Sequence, residues 1–143
     1  NGWGDSYFST PNGKERTYND AESTNIGLRA WWRPEETGSA VPSISVGYDV
    51  SETAASANSQ TDMYFVGLQW QDMFSADDRI GLAFGQPQKR EGETTDPFAW
   101  EAYYQFQVND SVSITPAVFG GSDRNGTADA DLTGVVVETT FKF

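Results

Sequence analysis

The feature that most constrains this chain is strict period-2 alternation, carried over windows of strand length and repeated along most of the sequence. In 96–108, Phe98, Trp100, Ala102, Tyr104, Phe106 and Val108 alternate with Ala99, Glu101, Tyr103, Gln105 and Gln107. In 79–86, Ile80, Leu82 and Phe84 alternate with Gly81, Ala83 and Gly85, and in 132–143 Val135, Val137, Thr139, Phe141 and Phe143 alternate with Val136, Glu138, Thr140 and Lys142. Successive side chains of a strand point to opposite faces, so each window reads as a strand with one apolar face. The same reading gives strands over 24–33, 43–51, 62–71 and 111–119, with a weaker eighth over Gly2 to Phe8. No window carries a helical period. The pattern predicts an all-β chain in which neighbouring strands run antiparallel.

These windows are longer than the usual ~5–6 residues of a globular strand. A tilted strand of ~9–11 residues crosses the hydrocarbon core of a bilayer. The connections also alternate in character. Glu52–Thr61, Gln86–Thr95 and Gly120–Ala130 are long and polar, Asn109-Asp110 is a tight turn, and Asp72–Asp78 is intermediate. Long loops at one end of a meander and short turns at the other are the pattern of an outer-membrane barrel. Pro34–Pro42 is longer than that pattern predicts.

Two architectures produce such alternation. In a soluble sandwich the apolar faces meet in a shared core. In a membrane barrel they meet lipid, and the polar faces line the lumen. Charge placement favours the barrel. The apolar faces are nearly free of charge, whereas the opposite faces carry Arg29, Arg33, Asp49, Arg79, Glu101, Glu138 and Lys142. Aromatic residues gather near strand ends, where amphipathic rings sit at a membrane interface. The expected lipid-facing and girdle set is Trp32, Tyr48, Trp70, Phe84, Phe98, Trp100, Tyr104, Phe106, Phe141 and Phe143. The composition fits: aromatics make up 14 % of the residues although hydrophobic residues total only 37 %, as expected when one face of each strand is polar.

Composition also excludes several functions. With no Cys and no His, the chain has no disulfide, no Cys/His zinc site, no histidine base and no thiol nucleophile. A net charge of −12 over 143 residues argues against nucleic acid as a partner. Neither a nucleophile elbow nor a phosphate-cradling loop occurs, and nothing fixes two carboxylates at a glycosidase separation. The expectation is a protein that is not an enzyme.

The terminal strand Val135-Val136-Val137-Glu138-Thr139-Thr140-Phe141-Lys142-Phe143 resembles the C-terminal signal that bacterial outer-membrane proteins present to the barrel-assembly machinery. More narrowly, Trp31-Trp32-Arg33-Pro34, Pro42-Ser43-Ile44-Ser45-Val46-Gly47-Tyr48, Val66-Gly67-Leu68-Gln69-Trp70-Gln71-Asp72-Met73-Phe74, Gly81-Leu82-Ala83-Phe84-Gly85-Gln86-Pro87 and Val112-Ser113-Ile114-Thr115-Pro116-Ala117-Val118-Phe119, in this order, resemble the C-terminal part of the carbohydrate-selective porin superfamily in its cyanobacterial branch. The resemblance implies a trimeric porin in the cell outer membrane that passes small solutes, sugars or inorganic ions. Members of that branch typically carry an anchoring domain, a coiled coil and a barrel of about sixteen strands. The seven or eight strands here therefore imply the C-terminal portion of a longer porin, and a complete eight-stranded barrel is the alternative.

The expected pore-lining residues are Arg29, Trp31, Arg33, Asp49, Arg79, Glu101, Tyr103, Gln105, Gln107, Glu138 and Lys142. Charged rings set selectivity in a pore, and exposed aromatics stack on sugar faces. The competing reading is a solvated sheet face whose charges pair across strands. Asp123, Asn125, Asp129 and Asp131 form a weak candidate Ca²⁺ loop without the order of an EF-hand; no other cofactor is expected. Asp77-Asp78 reads as a solvated acidic pair in a turn. The alternative to a porin is a soluble or surface-exposed β-sandwich serving adhesion, glycan binding or filament assembly.

Overall fold

The computed structural model describes residues 23–53 and 60–143. The weak strand expected over Gly2 to Phe8 lies outside the described residues. Seven strands form one sheet: β1 (Ser23–Trp32), β2 (Ser43–Thr53), β3 (Gln60–Gln71), β4 (Arg79–Arg90), β5 (Phe98–Asn109), β6 (Val112–Ser122) and β7 (Leu132–Phe141). A 3₁₀ turn over Arg124–Gly126 precedes β7, and the described residues contain no α-helix. Each strand pairs antiparallel with its neighbours in chain order, from β1 to β7. The sheet is open: β1 and β7 are its edges, and it does not close into a barrel.

The register joins the alternating windows into two continuous faces. One row crosses all seven strands as Trp32, Ile44, Leu68, Leu82, Ala102, Val118 and Val135. The next row runs Ala30, Val46, Val66, Phe84, Trp100, Gly120 and Thr133. The opposite face carries Trp31, Ser45, Gly67, Ala83, Glu101, Phe119 and Gly134 in one row. Because the side-chain period is two, a slip of one residue in any strand would exchange these faces.

Strand β4 runs to Arg90 and not to residue 86, so Pro87, Lys89 and Arg90 belong to the strand and not to a polar loop. Proline cannot donate to a strand ladder. The sheet accommodates it with a register step: Tyr64 faces Gln86, Asp62 faces Lys89, and Pro87-Gln88 stand opposite the single residue Met63. A second step lies where Gln107 faces Ser113 and Asn109 faces Val112, at the tight turn. Strand β7 ends at Phe141, two residues short of the expected limit, and the Lys142 N–H still reaches the Ser111 carbonyl at 2.8 Å.

Among the described residues this sheet has no covering layer. Ala117 is the buried hydrophobic residue, while Leu28 is 63 % exposed, Val135 73 % and Val137 62 %. Burying a Leu or Val side chain is worth ~1.5–3 kcal/mol. An apolar face seven strands wide is therefore built to be covered by something outside these strands.

Candidate functional site

The polar face is organised by close pairing at one end and is open at the other. Arg29 and Asp49 are diagonal neighbours on β1 and β2, two residues apart in the register, and form a two-pronged ion pair, with Arg29 Nη1 at 2.8 Å from Asp49 Oδ1 and Nη2 on Oδ2. The guanidinium also lies 5.4 Å over the Phe65 ring and donates to the Leu28 carbonyl at 2.9 Å. Two of the seven expected pore-lining charges thus neutralise one another. Phe65 in turn covers Gly47, where a Cβ would stand 2.2 Å from its ring. Tyr103 covers Gly81 and Phe119 covers Gly134 in the same way. A ring laid over a cross-strand glycine restores packing that the glycine lacks.

Toward the turn end, where the connections 33–42, 72–78 and 110–111 lie, the polar face is less occupied. Gln69 Nε2 donates to the Tyr103 hydroxyl at 2.8 Å. Arg79 is flanked in register by Gln71 and Gln105. Arg33 and Arg79 make no ion pair among the described residues. Trp31 is 75 % exposed. A shallow cleft of about 530 Å³ is lined by Trp31, Arg33, Gln69, Gln71, Arg79 and Tyr103, among others. A second recess of about 440 Å³ adjoins it beneath the 34–42 link, where Glu35 and Glu36 line it. That long link is fixed in place. The Gly38 N–H donates to the Gln71 carbonyl at 2.8 Å, and Trp70 Nε1 donates to the Ala40 carbonyl at 3.0 Å.

Glu101, Gln105, Gln107 and Glu138 also lie on the polar face, but outside this cleft, and Lys142 follows the last residue of β7 and does not line the cleft. Gln107 donates to the Asn109 carbonyl and Glu138 accepts from Thr140, so both serve local contacts.

The expected girdle residues within the strands lie on the apolar face, Trp32 in the aliphatic row itself and the others on either side of it. On the turn side, Tyr104 stacks on Phe106 at 5.9 Å and meets Phe74 edge-on at 6.1 Å, with Trp70 nearby in the register. On the loop side, Phe84 approaches Phe98 at 6.4 Å and faces Trp100, while Tyr48 faces Tyr64. Trp32 and Phe141 are exposed at the turn end, where Phe143 follows β7.

Sequence reasoning missed Asp78. It is not a solvated member of an acidic pair but a fully buried carboxylate. It accepts from the N–H groups of Met73 at 2.8 Å, Phe74 at 3.0 Å and Ser75 at 3.1 Å, and from the Tyr104 hydroxyl at 3.0 Å. Asp72 supports the same turn by accepting the Asp77 N–H at 2.7 Å. Burial pushes the Asp78 carboxyl up, but the hydrogen bonds from Phe74, Met73, Ser75 and Tyr104 overcome this and hold it below its ordinary value. The unfolded carboxyl titrates near ~3.9. The stabilisation is therefore complete above that pH and is lost as pH falls through the lower, folded value. Asp78→Asn presents an amide N–H₂ to groups that are all donors. The expected result is faster protease cutting within 72–78 at neutral pH; cutting at the parent rate would count against the role assigned to Asp78.

The Ca²⁺ loop is not assembled as expected. The two oxygens of Asp123 accept the Asp129 N–H at 3.0 Å and the Asp96 N–H at 3.1 Å, so this carboxylate staples two loops together. No group of three or more acidic residues placed to hold a metal ion occurs among the described residues. The Asn125 side chain lies outside the described part. Lys89 pairs with Asp96 at the same end of the sheet.

No protein family matches the chain, and no solved structure matches it. Over 131 residues the chain is 30 % identical to an uncharacterized protein of Nostoc sp. (strain PCC 7120), a match covering 87 % of this chain. The chain spans 22 % of the length of that relative. Among the described residues no helix is long and apolar enough to cross a membrane, which says nothing about crossing by strands.

Proposed function

We propose that the chain is the C-terminal part of a β-barrel porin of the cell outer membrane, similar to the carbohydrate-selective porins, for passive diffusion of small hydrophilic solutes. The observation that carries this reading is the apolar face. Between the Tyr48–Tyr64 pair and the Phe106–Ile114–Thr139 row it holds no Asp, Glu, Lys or Arg on any of the seven strands. Along β5 the aromatic-bounded band from Phe98 to Phe106 covers eight rises, or ~26 Å along the strand. At the ~40° tilt of such barrels that is ~20 Å of membrane height, close to the ~25 Å band they present to lipid. The polar face then meets water, and passage depends on size and weak electrostatic filtering, with no chemistry.

A sheet exposed to lipid tolerates no unpaired edge. The reading therefore requires strands beyond these seven to pair with β1 and β7. Assembly by the barrel-assembly machinery and association as a homotrimer belong to the same proposal. Purified with its parent chain, the protein is expected to need detergent, to run as a compact form in unheated detergent gels, and to conduct ions in planar bilayers. Monodisperse behaviour without detergent would overturn the reading and favour the sandwich, whose partner sheet would have to come from elsewhere.

A further inference from the structure

The cleft at the turn end of the polar face carries a more specific inference, which rests on the pore reading. Its lining holds two arginines, Arg33 and Arg79, and no carboxylate. Arg29 on the same face is paired with Asp49, whereas Arg33 and Arg79 make no ion pair among the described residues, so the cleft presents two uncompensated guanidinium groups. That charge runs against the chain's net −12. Glu101 and Glu138 share the face but lie outside the cleft, and Glu35 and Glu36 line only the adjoining recess.

The remaining lining groups suit a hydroxylated ligand. Trp31 presents an open indole face. The Tyr103 hydroxyl accepts from Gln69, which leaves its own proton to donate outward. Gln71 makes no side-chain hydrogen bond among the described residues and offers both an acceptor and donors. Guanidinium forks match the geometry of carboxylate and phosphate oxygens, and arginine rings are a means of selecting anions in pores.

We propose that this cleft is a subsite for small anionic polyols, meaning sugar phosphates or sugar acids, with Arg33 and Arg79 holding the oxyanion, Trp31 stacking on the carbon skeleton, and Gln69, Gln71 and Tyr103 engaging the hydroxyls. Arg33, Gln69 and Gln71 line both the cleft and the recess that holds Glu35 and Glu36, so the two spaces adjoin through the residues assigned to the ligand.

The test uses the full-length protein in planar bilayers, with glucose 6-phosphate and gluconate as probes, glucose as the neutral control and inorganic phosphate as the anion without a polyol. Both probes are expected to reduce the current at millimolar concentration, at least tenfold more effectively than glucose or phosphate. Arg33→Gln with Arg79→Gln is expected to raise the half-blocking concentration of both probes about tenfold or more, as loss of charge-assisted hydrogen bonds predicts. In detergent, tryptophan fluorescence should titrate with the same probes, and Trp31→Phe should remove the largest part of the change. Equal block by glucose and its phosphate, or unchanged block in the double variant, overturns this inference while leaving the pore reading intact. Absence of any current overturns the pore reading, and the fluorescence titration then decides whether the cleft binds.

Discussion

Arginine in place of Leu82 is expected to cost ~2–4 kcal/mol of folding free energy in lipid, because it puts a charge at the middle of the apolar face. Leu82 sits in the aliphatic row, with Leu68 on one side and Ala102 on the other. Arginine at Phe98, at the loop-side aromatic edge, is expected to cost only ~0–1 kcal/mol, since the penalty falls toward the interface. Arginine at Ala83, one residue from Leu82, points to the polar face opposite Glu101. It is expected to change stability by no more than ~0.5 kcal/mol. The measurement is a urea titration of folding into phospholipid vesicles, followed by the gel shift of the folded form. The ordering Leu82 above Phe98 above Ala83 is the signature of a face immersed in lipid to different depths. Equal effects at Leu82 and Ala83 would show that the two faces are not distinguished by their surroundings, and the membrane reading would fall with them.

Most of this contrast was legible before any coordinates, because a strand that is half covered must alternate. All seven expected windows overlap the strands that form, and the register puts the expected apolar residues that it pairs on one face. What was not legible depends on pairing between distant segments. Pro87 reads locally as the end of a strand, yet β4 continues because β3 offers a register step opposite it. Arg29 and Asp49 are twenty residues apart and become partners only once the β1–β2 register is set. Asp78 looks like any acidic turn residue. Its burial follows from three N–H groups curling around it and from Tyr104, twenty-six residues on, reaching across from β5. The Ser/Asp-rich turn composition gave no sign of which carboxylate would be enclosed. Asp123 is similar: its neighbours suggested a cation, but its oxygens meet N–H groups of its own loop and of the preceding one. The cleft was half legible, since Trp31, Arg33, Arg79 and Tyr103 stood in the expected lining, but their grouping without Arg29 and Asp49 is a property of the register.

The second large effect is expected at Gly85. Its strand presents small residues to the polar face, Gly81, Ala83 and Gly85, and the two glycines are close to different things. A Cβ on Gly81 would stand 2.0 Å from the Tyr103 ring, and a ring at the end of a side chain can swing aside. A Cβ on Gly85 would stand 2.1 Å from the Tyr64 carbonyl oxygen and 2.7 Å from the Phe65 Cα. Both are backbone atoms, fixed by pairing on either side, so only separation of β3 from β4 relieves the contact. Overpacking of this kind costs ~1–3 kcal/mol. Gly85→Ala is expected at the upper end of that range and Gly81→Ala at the lower end, the latter mainly through loss of the Gln69–Tyr103 hydrogen bond. Because the register step at Pro87 lies two residues beyond Gly85, the strands have little ladder left on that side to resist opening. Hydrogen exchange should therefore rise in 60–66 and 84–90 in Gly85→Ala and stay at parent levels in β5 to β7. A Gly85→Ala protein as stable as Gly81→Ala would mean that β3 and β4 do not approach so closely there, and the register step assigned to Pro87 would have to be redrawn.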